Sequence, residues 1–348
     1  MIPHNRLTWD DREVDAVSDV IRSGHWASGP EVDRLEQDLA RGTSRSHARV
    51  CSSGFTALQL ALMALDVGPG DEVIVPAYSC VALPNSVRSR GATPVPVDVI
   101  PDDWTLDPKS TAQACTPKTR AVIAVHTFGQ AAQIDDIRTE AGVPVIEDCS
   151  HGIAFPEKSP MGGRGDLAIS SFYATKLVGG GEGGVVLFDD DSLVDDLDQY
   201  RDYTDQPESD RNANMKMSDV AAALIQAQFS RLGQFINRRR QLAEQYLSGL
   251  ADIAGATGWR LPPDSTDRIW YRFPLFCRSE TERHDIRAAL RQADIRAENP
   301  VDDWRPDPSR HDISTIAYNQ ILSLPLYPSL QEQDVDQICK LVSSLGKT

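Results

Sequence analysis

Short runs of apolar, largely β-branched residues recur through the first half of the chain, each closed by glycine, proline or small polar residues. The runs Glu72 to Val75, Thr93 to Val99, Ala121 to His126, Val143 to Glu147, Leu167 to Phe172 and Gly184 to Phe188 read as buried strands. The segments between most of them are long enough for helical crossovers, and that spacing predicts a mainly parallel sheet. Gly184 to Phe188 directly follows a glycine-rich stretch and is the one run expected to turn back antiparallel. Up to about residue 48 the pattern is helix and loop, and beyond about residue 190 it is mostly helical. From Ser218 a continuous helical pattern predicts one long helix that leads from a large domain, residues 1–238, into a smaller one, residues 239–348. The smaller domain's strands and helix are expected within Trp270 to Phe276 and Ile313 to Leu326. The arginines Arg238 to Arg240 read as a solvated face of the long helix.

Composition narrows the class. A chain of 348 residues can bury a large core and is expected to form two domains in close contact. A formal charge of −16 argues against a nucleic-acid surface. No apolar run approaches the roughly 20 residues that cross a bilayer, and the opening MIPHNRLTWDD has no signal-peptide apolar region, so the expected location is the cytoplasm, away from membranes. The 6 cysteines lack any C-x-x-C pair, which fits reduced thiols, and no zinc or other metal site is expected. Gly179, Gly181 and Gly184 formally fit G-x-G-x-x-G but precede a strand, so the dinucleotide reading is rejected. Those glycines are expected to let backbone approach a coenzyme or a partner subunit.

The candidate chemistry lies at the ends of the predicted strands. Lys176 follows the run Leu167 to Phe172, which places its amine at the carboxyl edge of the sheet, where open α/β sheets gather their active sites. By itself it reads more readily as a solvated lysine ahead of a loop, since most lysines are solvated. Asp148 emerges beside Glu147 from the preceding strand and, alone, reads as a helix cap or as a functional group. Together the two form the arrangement that pyridoxal 5'-phosphate requires: a lysine for the Schiff base and a carboxylate that keeps the pyridinium nitrogen protonated. A phosphate needs free N–H groups, and Ser52 to Gly54 opens a helix with Leu58, Ala61, Leu62 and Leu65 on one face. Such an N-terminus suits an anion, and a plain serine cap explains the serines as well.

Ordered blocks spread over nearly the whole chain carry a family likeness: SGHWASGPEV from Ser23, SSGFTALQLAL from Ser52, GPGDEVIVPAYSCVALPN from Gly68, VIAVHTFGQ from Val122, VIEDCSHG from Val145, SSFYATK through GEGG, and MKMSDVAAALIQAQ from Met215. With these blocks the chain resembles the DegT/DnrJ/EryC1/StrS sugar aminotransferases. The resemblance implies an α/β fold type I pyridoxal phosphate transferase, with a mainly parallel seven-stranded sheet between helices and a smaller C-terminal α+β domain. It implies Lys176 as the internal-aldimine lysine, Asp148 as the pyridinium partner and His151 near the coenzyme ring or its hydroxyl. Ser171 binds the phosphate in this likeness, with backbone and side chain around Gly54, Phe55 and Thr56. Asn214 falls on an asparagine that reaches the phosphate of a neighbouring subunit, which implies a homodimer with shared sites.

Three departures bear on these expectations. Phe55 intervenes between Ser-Gly and Thr56, so the hydroxyl contact to phosphate comes from Thr56 or is lost. Cys80 stands where the family often has an aromatic residue stacked on the pyridine, which leaves that face to Tyr78 or His151. The stretch Asn299 to His311 replaces a tyrosine- and proline-rich run that ends in a substrate-contacting histidine. The implied reaction is ping-pong transamination from an amino acid, expected to be glutamate, to a keto sugar, expected to be nucleotide-linked. A keto-cyclitol or other non-nucleotide acceptor, or a non-catalytic coenzyme-binding regulator, stays open. Retention of Lys176 counts against the family's dehydratases, which have histidine there.

Overall fold

The computed structural model describes residues 1–153, 161–202, 213–263 and 268–346. Its strands are β1 (His47–Cys51), β2 (Glu72–Pro76), β3 (Thr93–Val97), β4 (Thr119–Val125), β5 (Val145–Asp148), β6 (Leu167–Ser171), β7 (Gly184–Phe188), β8 (Phe273–Phe276) and β9 (Ile321–Leu324). Its helices are α1 (Asp11–Ser23), α2 (Pro30–Thr43), α3 (Gly54–Ala64), α4 (Ala82–Ser89), α5 (Pro108–Ala114), α6 (Ile134–Ala141), α7 (Leu193–Arg201), α8 (Asp219–Phe229), α9 (Leu232–Thr257), α10 (Glu280–Gln292), α11 (Asp312–Gln320) and α12 (Glu332–Leu345).

The first seven strands form one sheet in the order β1-β7-β6-β5-β4-β2-β3. Strand β7 runs antiparallel to both its neighbours, and the remaining pairings are parallel. Strand β3 carries Pro94 and Pro96, which cannot donate to a ladder, and it lies at the sheet edge where one side needs no donors. Alternate side chains leave the sheet on opposite faces. Val73, Val75, Ile123, Ile146, Ile169 and Val186 pack against Leu58 of α3 and Leu197 of α7. On the other face Ile74, Val122 and Ala124 meet Ile134 and Ile137 of α6. Further along that face Val50, Val185 and Leu187 meet Leu35 and Leu39 of α2 and Ile225 of α8. Covered on both sides, the strands are continuously apolar, which is why they are legible as runs. A separate cluster joins α9, α10 and α12 to the antiparallel pair β8–β9 through Leu242, Tyr246, Phe273, Leu290, Leu322 and Ile338.

The structure differs from the sequence-based expectations in several places. Strand β1 was not anticipated, because His47 and Arg49 break its apolar pattern. Its period-2 alternation with buried Ala48 and Val50 was the available signal. The strand expected from Val143 begins at Val145, after Pro144, and extends one residue further, to Asp148. The helix expected from Ser218 is two helices. At Ser230–Arg231 the chain departs from helical regularity, with Arg231 at φ −103° and ψ 0° and its guanidinium drawn to Glu13 at 2.8 Å. Arg239 does not lie on a solvated face. It is buried, and its Nη1 donates to the carbonyls of Tyr271 (3.0 Å) and Leu326 (2.8 Å).

Period-2 alternation also separates Glu147 from Asp148. Glu147 is fully buried and accepts the N–H groups of Gly162 (2.8 Å), Arg164 (2.7 Å) and Gly165 (2.5 Å), together with His126 Nε2 (3.0 Å). His126 Nδ1 in turn accepts the Ala132 N–H at 3.0 Å, which leaves Nε2 to carry the hydrogen toward Glu147. Burial alone raises the Glu147 pKa, and the His126 bond with the Gly165 and Gly162 donors outweighs it, so the carboxyl sits below its ordinary 4.5. Cys149 lies within 4.8 Å of His126 and Glu147. Burial first, then Glu147 and Asp148, keep its thiol pKa well above the usual value. With its oxygens committed to N–H donors and the Arg45 guanidinium 3.6 Å away, Glu147 is a clasp for the 162–165 turn. Replacing Glu147 by Ala is expected to cost about 3–5 kcal/mol, because it strips partners from several buried donors. Since its folded pKa lies below the unfolded one, the wild-type stabilisation is complete above about pH 4.5 and is lost as pH falls through the folded pKa. Urea unfolding of wild type and Glu147→Ala at pH 7 and pH 4 measures both effects, and a pH-independent difference between them contradicts the assignment.

Candidate active site

A cavity of 310 Å³ opens at the carboxyl ends of β2, β4, β5 and β6. Its wall includes Lys176, Asp148, His151, Ser171, Gly54, Phe55 and Cys80, so the topology brings together most of the residues singled out by sequence. Asp148 terminates β5 with its side chain turned to the cavity, and its Oδ1 accepts the Ser150 N–H at 2.8 Å. Lys176 stands on the connection between β6 and β7. That connection is closed by Phe172 N–H to Gly183 O and Gly180 N–H to Phe172 O, each 2.8 Å. Of the glycines in this stretch, Gly179 packs against Leu7, Gly180 and Gly183 against Ile225 and Gly184 against Ser53, while Gly181 has open space around it.

The start of α3 meets the end of β6. Ser53 caps the helix by accepting the Thr56 N–H at 3.1 Å, and the Ala57 N–H makes the first helical bond to Ser53 O, which leaves the N–H groups of Gly54 and Phe55 without helical partners. Gly54 lies directly against Ser171; a Cβ there would stand 2.6 Å from that of Ser171. Free N–H groups, the helix dipole and the Ser171 hydroxyl thus share one corner of the cavity. Thr56 does not line it. Its hydroxyl bonds those of Ser52 (3.1 Å) and Ser53 (2.9 Å), so it stiffens the cap from behind. Phe55 and Cys80 are exposed at the mouth. Asn214 is exposed and lies outside the cavity wall, while the next residue, Met215, accepts the Ser52 N–H at 2.9 Å.

Aromatic rings form another wall. The His151 ring stacks on Tyr271 with centroids 4.4 Å apart and planes 14° apart, and its Nδ1 accepts the Phe128 N–H at 3.3 Å. Burial, followed by the charges of Lys176 and Arg272, holds its pKa well below 6.5, so the imidazole is neutral. Tyr78 packs edge-on to Phe128 and Tyr318, and its buried hydroxyl has no hydrogen-bond partner among the described residues. Thr127 Oγ1, at the cavity wall, is likewise buried with no partner among the described residues.

Tyr271 and Arg272 were missed by sequence reasoning, because the run around them reads as an ordinary strand. Lys176 Nζ lies 5.2 Å from the centroid of the Tyr271 ring. Burial raises the Tyr271 phenol, but the charges of Lys176, Arg272 and Arg239 and a hydrogen bond from Thr175 outweigh it and bring the pKa down to about 8. Two contacts deliver this segment to the cavity. One is the buried Arg239, described above. The other is a close backbone crossing in which Ile269 N–H donates to Gly129 O at 2.8 Å. Gly129 has φ +82°, and a Cβ there would lie 1.4 Å from Ile269 O, so only glycine fits. From the divergent stretch Asn299 to His311, Pro300 and Val301 reach the cavity, whereas His311 turns away and bonds Pro96 O through Nε2 at 3.0 Å.

This donor set suits pyridoxal phosphate: an amine for its aldehyde, a carboxylate for its ring nitrogen, helix N–H groups and a serine for its phosphate, and unpartnered hydroxyls beside a stacking wall. The chain matches the DegT/DnrJ/EryC1/StrS aminotransferase family over residues 8–343. It belongs to that family. A dTDP-3-amino-3,4,6-trideoxy-alpha-D-glucose transaminase of Streptomyces venezuelae is 35% identical over 341 residues, covering 92% of this chain and 88% of that one. The aminotransferase TlmJ from Streptoalloteichus hindustanus superposes with a TM-score of 0.91 at 26% identity, covering 99% of this chain and 98% of its own. NtdA from Bacillus subtilis, solved with bound cofactor PMP, gives 0.87 at 28% identity, covering 97% and 82%. The DegT-family chain is therefore an α/β pyridoxal phosphate-dependent aminotransferase related to sugar aminotransferases. Among its described residues no helix is long and apolar enough to cross a membrane.

Gly129→Ala is expected to destabilise the fold by about 3 kcal/mol and to pull Tyr271 away from His151. Denaturant unfolding reads the first effect and a crystal structure of the variant the second; a variant as stable as wild type with Tyr271 in place refutes the crossing as the anchor.

Proposed function

We propose that this aminotransferase moves an amino group from glutamate to the keto group of a nucleotide-linked sugar in a ping-pong cycle. The observation that carries the proposal is the convergence of Lys176, Asp148 and the open N-terminus of α3 on one cavity. The named activity of the Streptomyces relative supports the acceptor class.

When bound, the cofactor supplies an electron sink for the pair left as the donor's Cα–H bond breaks. Lys176 is its attachment point, and once released its Nζ accepts the Cα proton and returns a proton during the transfer. Asp148 holds a proton on the ring nitrogen. The N–H groups of Gly54 and Phe55, with the Ser171 hydroxyl, hold the phosphate. Neutral His151 lies against the ring or its hydroxyl, while Tyr78 and Phe128 exclude water; Cys80 lends packing at the mouth and little stacking surface. Thr56 acts through the cap it braces. Asn214, exposed on its own chain, is assigned to the phosphate of a second subunit, so the working form is a homodimer with shared sites. Residues 1–238 form the cofactor domain and 239–348 the smaller one, and the location is cytoplasmic.

Borohydride reduction of the yellow holoprotein is expected to leave the cofactor mass on the peptide containing Lys176, and Lys176→Ala to lower turnover by at least about 10³-fold. Labelling elsewhere rejects the assignment of Lys176. Asn214→Ala is expected to release cofactor faster on gel filtration while the far-UV dichroism is retained; unchanged retention removes Asn214 from the site. A panel of nucleotide-linked keto sugars, free keto sugars and keto-cyclitols offered to the pyridoxamine form decides the acceptor, and preference for a free sugar or a cyclitol overturns the nucleotide-linked reading.

A further inference from the structure

Arg272 stands out among the groups around the cavity. With Lys176 it is one of the two cationic side chains among the described residues of the wall. Lys176 has a covalent task, and Arg272 has none. Its guanidinium forms no ion pair with a carboxylate among the described residues. Its polar neighbours are His4, whose Nδ1 and Nε2 lie 2.9 and 3.0 Å from Nη1, and the Tyr271 hydroxyl, 3.3 Å from Nη2.

Neither neighbour discharges it at neutral pH. Burial and the Arg272 charge lower His4 to about 3, so that imidazole stays neutral. Tyr271, at about 8, is largely a neutral phenol at pH 7. A half-buried guanidinium facing neutral groups is unusual, because side chains of this kind are normally paired when removed from water. Its position is also constrained. The Arg272 Cζ sits 4.8 Å from the centroid of the Tyr271 ring, and Lys176 Nζ sits 5.2 Å from the same centroid. The guanidinium therefore lies within about 10 Å of the amine, a separation spanned by a dicarboxylic amino acid whose α-carbon reacts beside Lys176. His4 is braced in turn by the Ser323 hydroxyl at 2.9 Å, and the N-terminal segment is pinned where Ile2 bridges Ile295. The fork is thus oriented before any ligand arrives.

We propose that Arg272 is the receptor for a carboxylate of the amino-acid donor, engaged by the planar guanidinium fork once the donor enters the cavity. The proposal rests on the transamination reading above and adds the group that selects the donor. Among the described residues of the wall Arg272 is the one guanidinium fork for the anionic end of the first substrate. The keto product leaves through the same contact, so that Arg272 discriminates donors by charge and not by shape.

The test uses holoprotein and the unreactive dicarboxylate maleate. Calorimetry and the change in the cofactor's visible absorption both report its binding without turnover. Arg272→Gln is expected to weaken maleate about 10- to 100-fold and to raise KM for glutamate by a similar factor, with a much smaller change in the limiting rate. Arg272→Lys, which keeps the charge and loses the fork, is expected to weaken maleate about tenfold. A nucleoside diphosphate, titrated in parallel, is expected to bind all three proteins alike. Unchanged maleate binding in a folded, cofactor-loaded Arg272→Gln overturns the proposal, as does a loss confined to the nucleoside diphosphate, which would give Arg272 to the acceptor. If Arg272→Gln does not fold, Arg272→Lys carries the same test, and unchanged maleate binding there overturns the proposal too. Failure of the transamination reading looks different: the wild-type protein then transfers no amino group from any donor.

Discussion

The insertion of β7 between β1 and β6 is the constraint on which the rest of the site depends. Because β7 runs antiparallel to both, its first residue, Gly184, lies level with Cys51 on one side and Ser171 on the other. That single row joins the strand leading into α3 to the strand leading into Lys176. A Cβ on Gly184 would stand 2.3 Å from Ser53 O, so the helix cap is seated directly on the strand. The anion corner and the lysine loop are therefore consequences of one register. A slip by one residue would turn every side chain of β7 to the opposite face and separate the two.

A second constraint brings in the C-terminal part. The main sheet supplies Lys176, Asp148 and the corner where the start of α3 meets Ser171, but not the ring wall or the cation opposite. Those come from Tyr271 and Arg272, whose backbone is held by the crossing at Gly129 and by the buried guanidinium of Arg239. Burial lowers the pKa of Arg239 to about 10 without neutralising it at physiological pH, and its two carbonyl partners are what that charge has in compensation. The assembled wall then sets the properties of the pocket: burial first, and then the charges of Lys176 and Arg272, keep His151 neutral, while the same two charges acidify the Tyr271 phenol. Electrostatics here are a property of the assembled wall and of no residue alone.

Much of this was legible in the chain. Strands covered on both faces are apolar nearly throughout, so the five parallel strands β2 to β6 and the antiparallel β7 announce themselves as runs, and the carboxyl ends of β5 and β6 point to Asp148 and Lys176. Strand β1 escaped because Arg49 and His47 interrupt the run while pairing with Asp198 and Asp191. The break between α8 and α9 escaped because both halves share a helical apolar pattern, and the interruption comes from Glu13, more than 200 residues away in sequence. Thr56 and His311 illustrate the same limit on the scale of single side chains. Thr56 is expected at the phosphate and His311 ends the divergent stretch, and each bonds a partner that its own segment's pattern does not reveal, the paired serine hydroxyls in one case and Pro96 O in the other.

By itself, then, the sequence determined the fold class and the cofactor chemistry and marked Lys176 and Asp148 as the candidate pair, because buried strands read as apolar runs and the family's ordered motifs lie at their ends. Only the tertiary structure decided which polar groups face the cavity, that Arg239 is buried, and that Arg272 has no carboxylate partner among the described residues. Those outcomes depend on contacts between segments far apart in the chain. The desolvation and charge–charge terms that govern them exist only after the segments have packed.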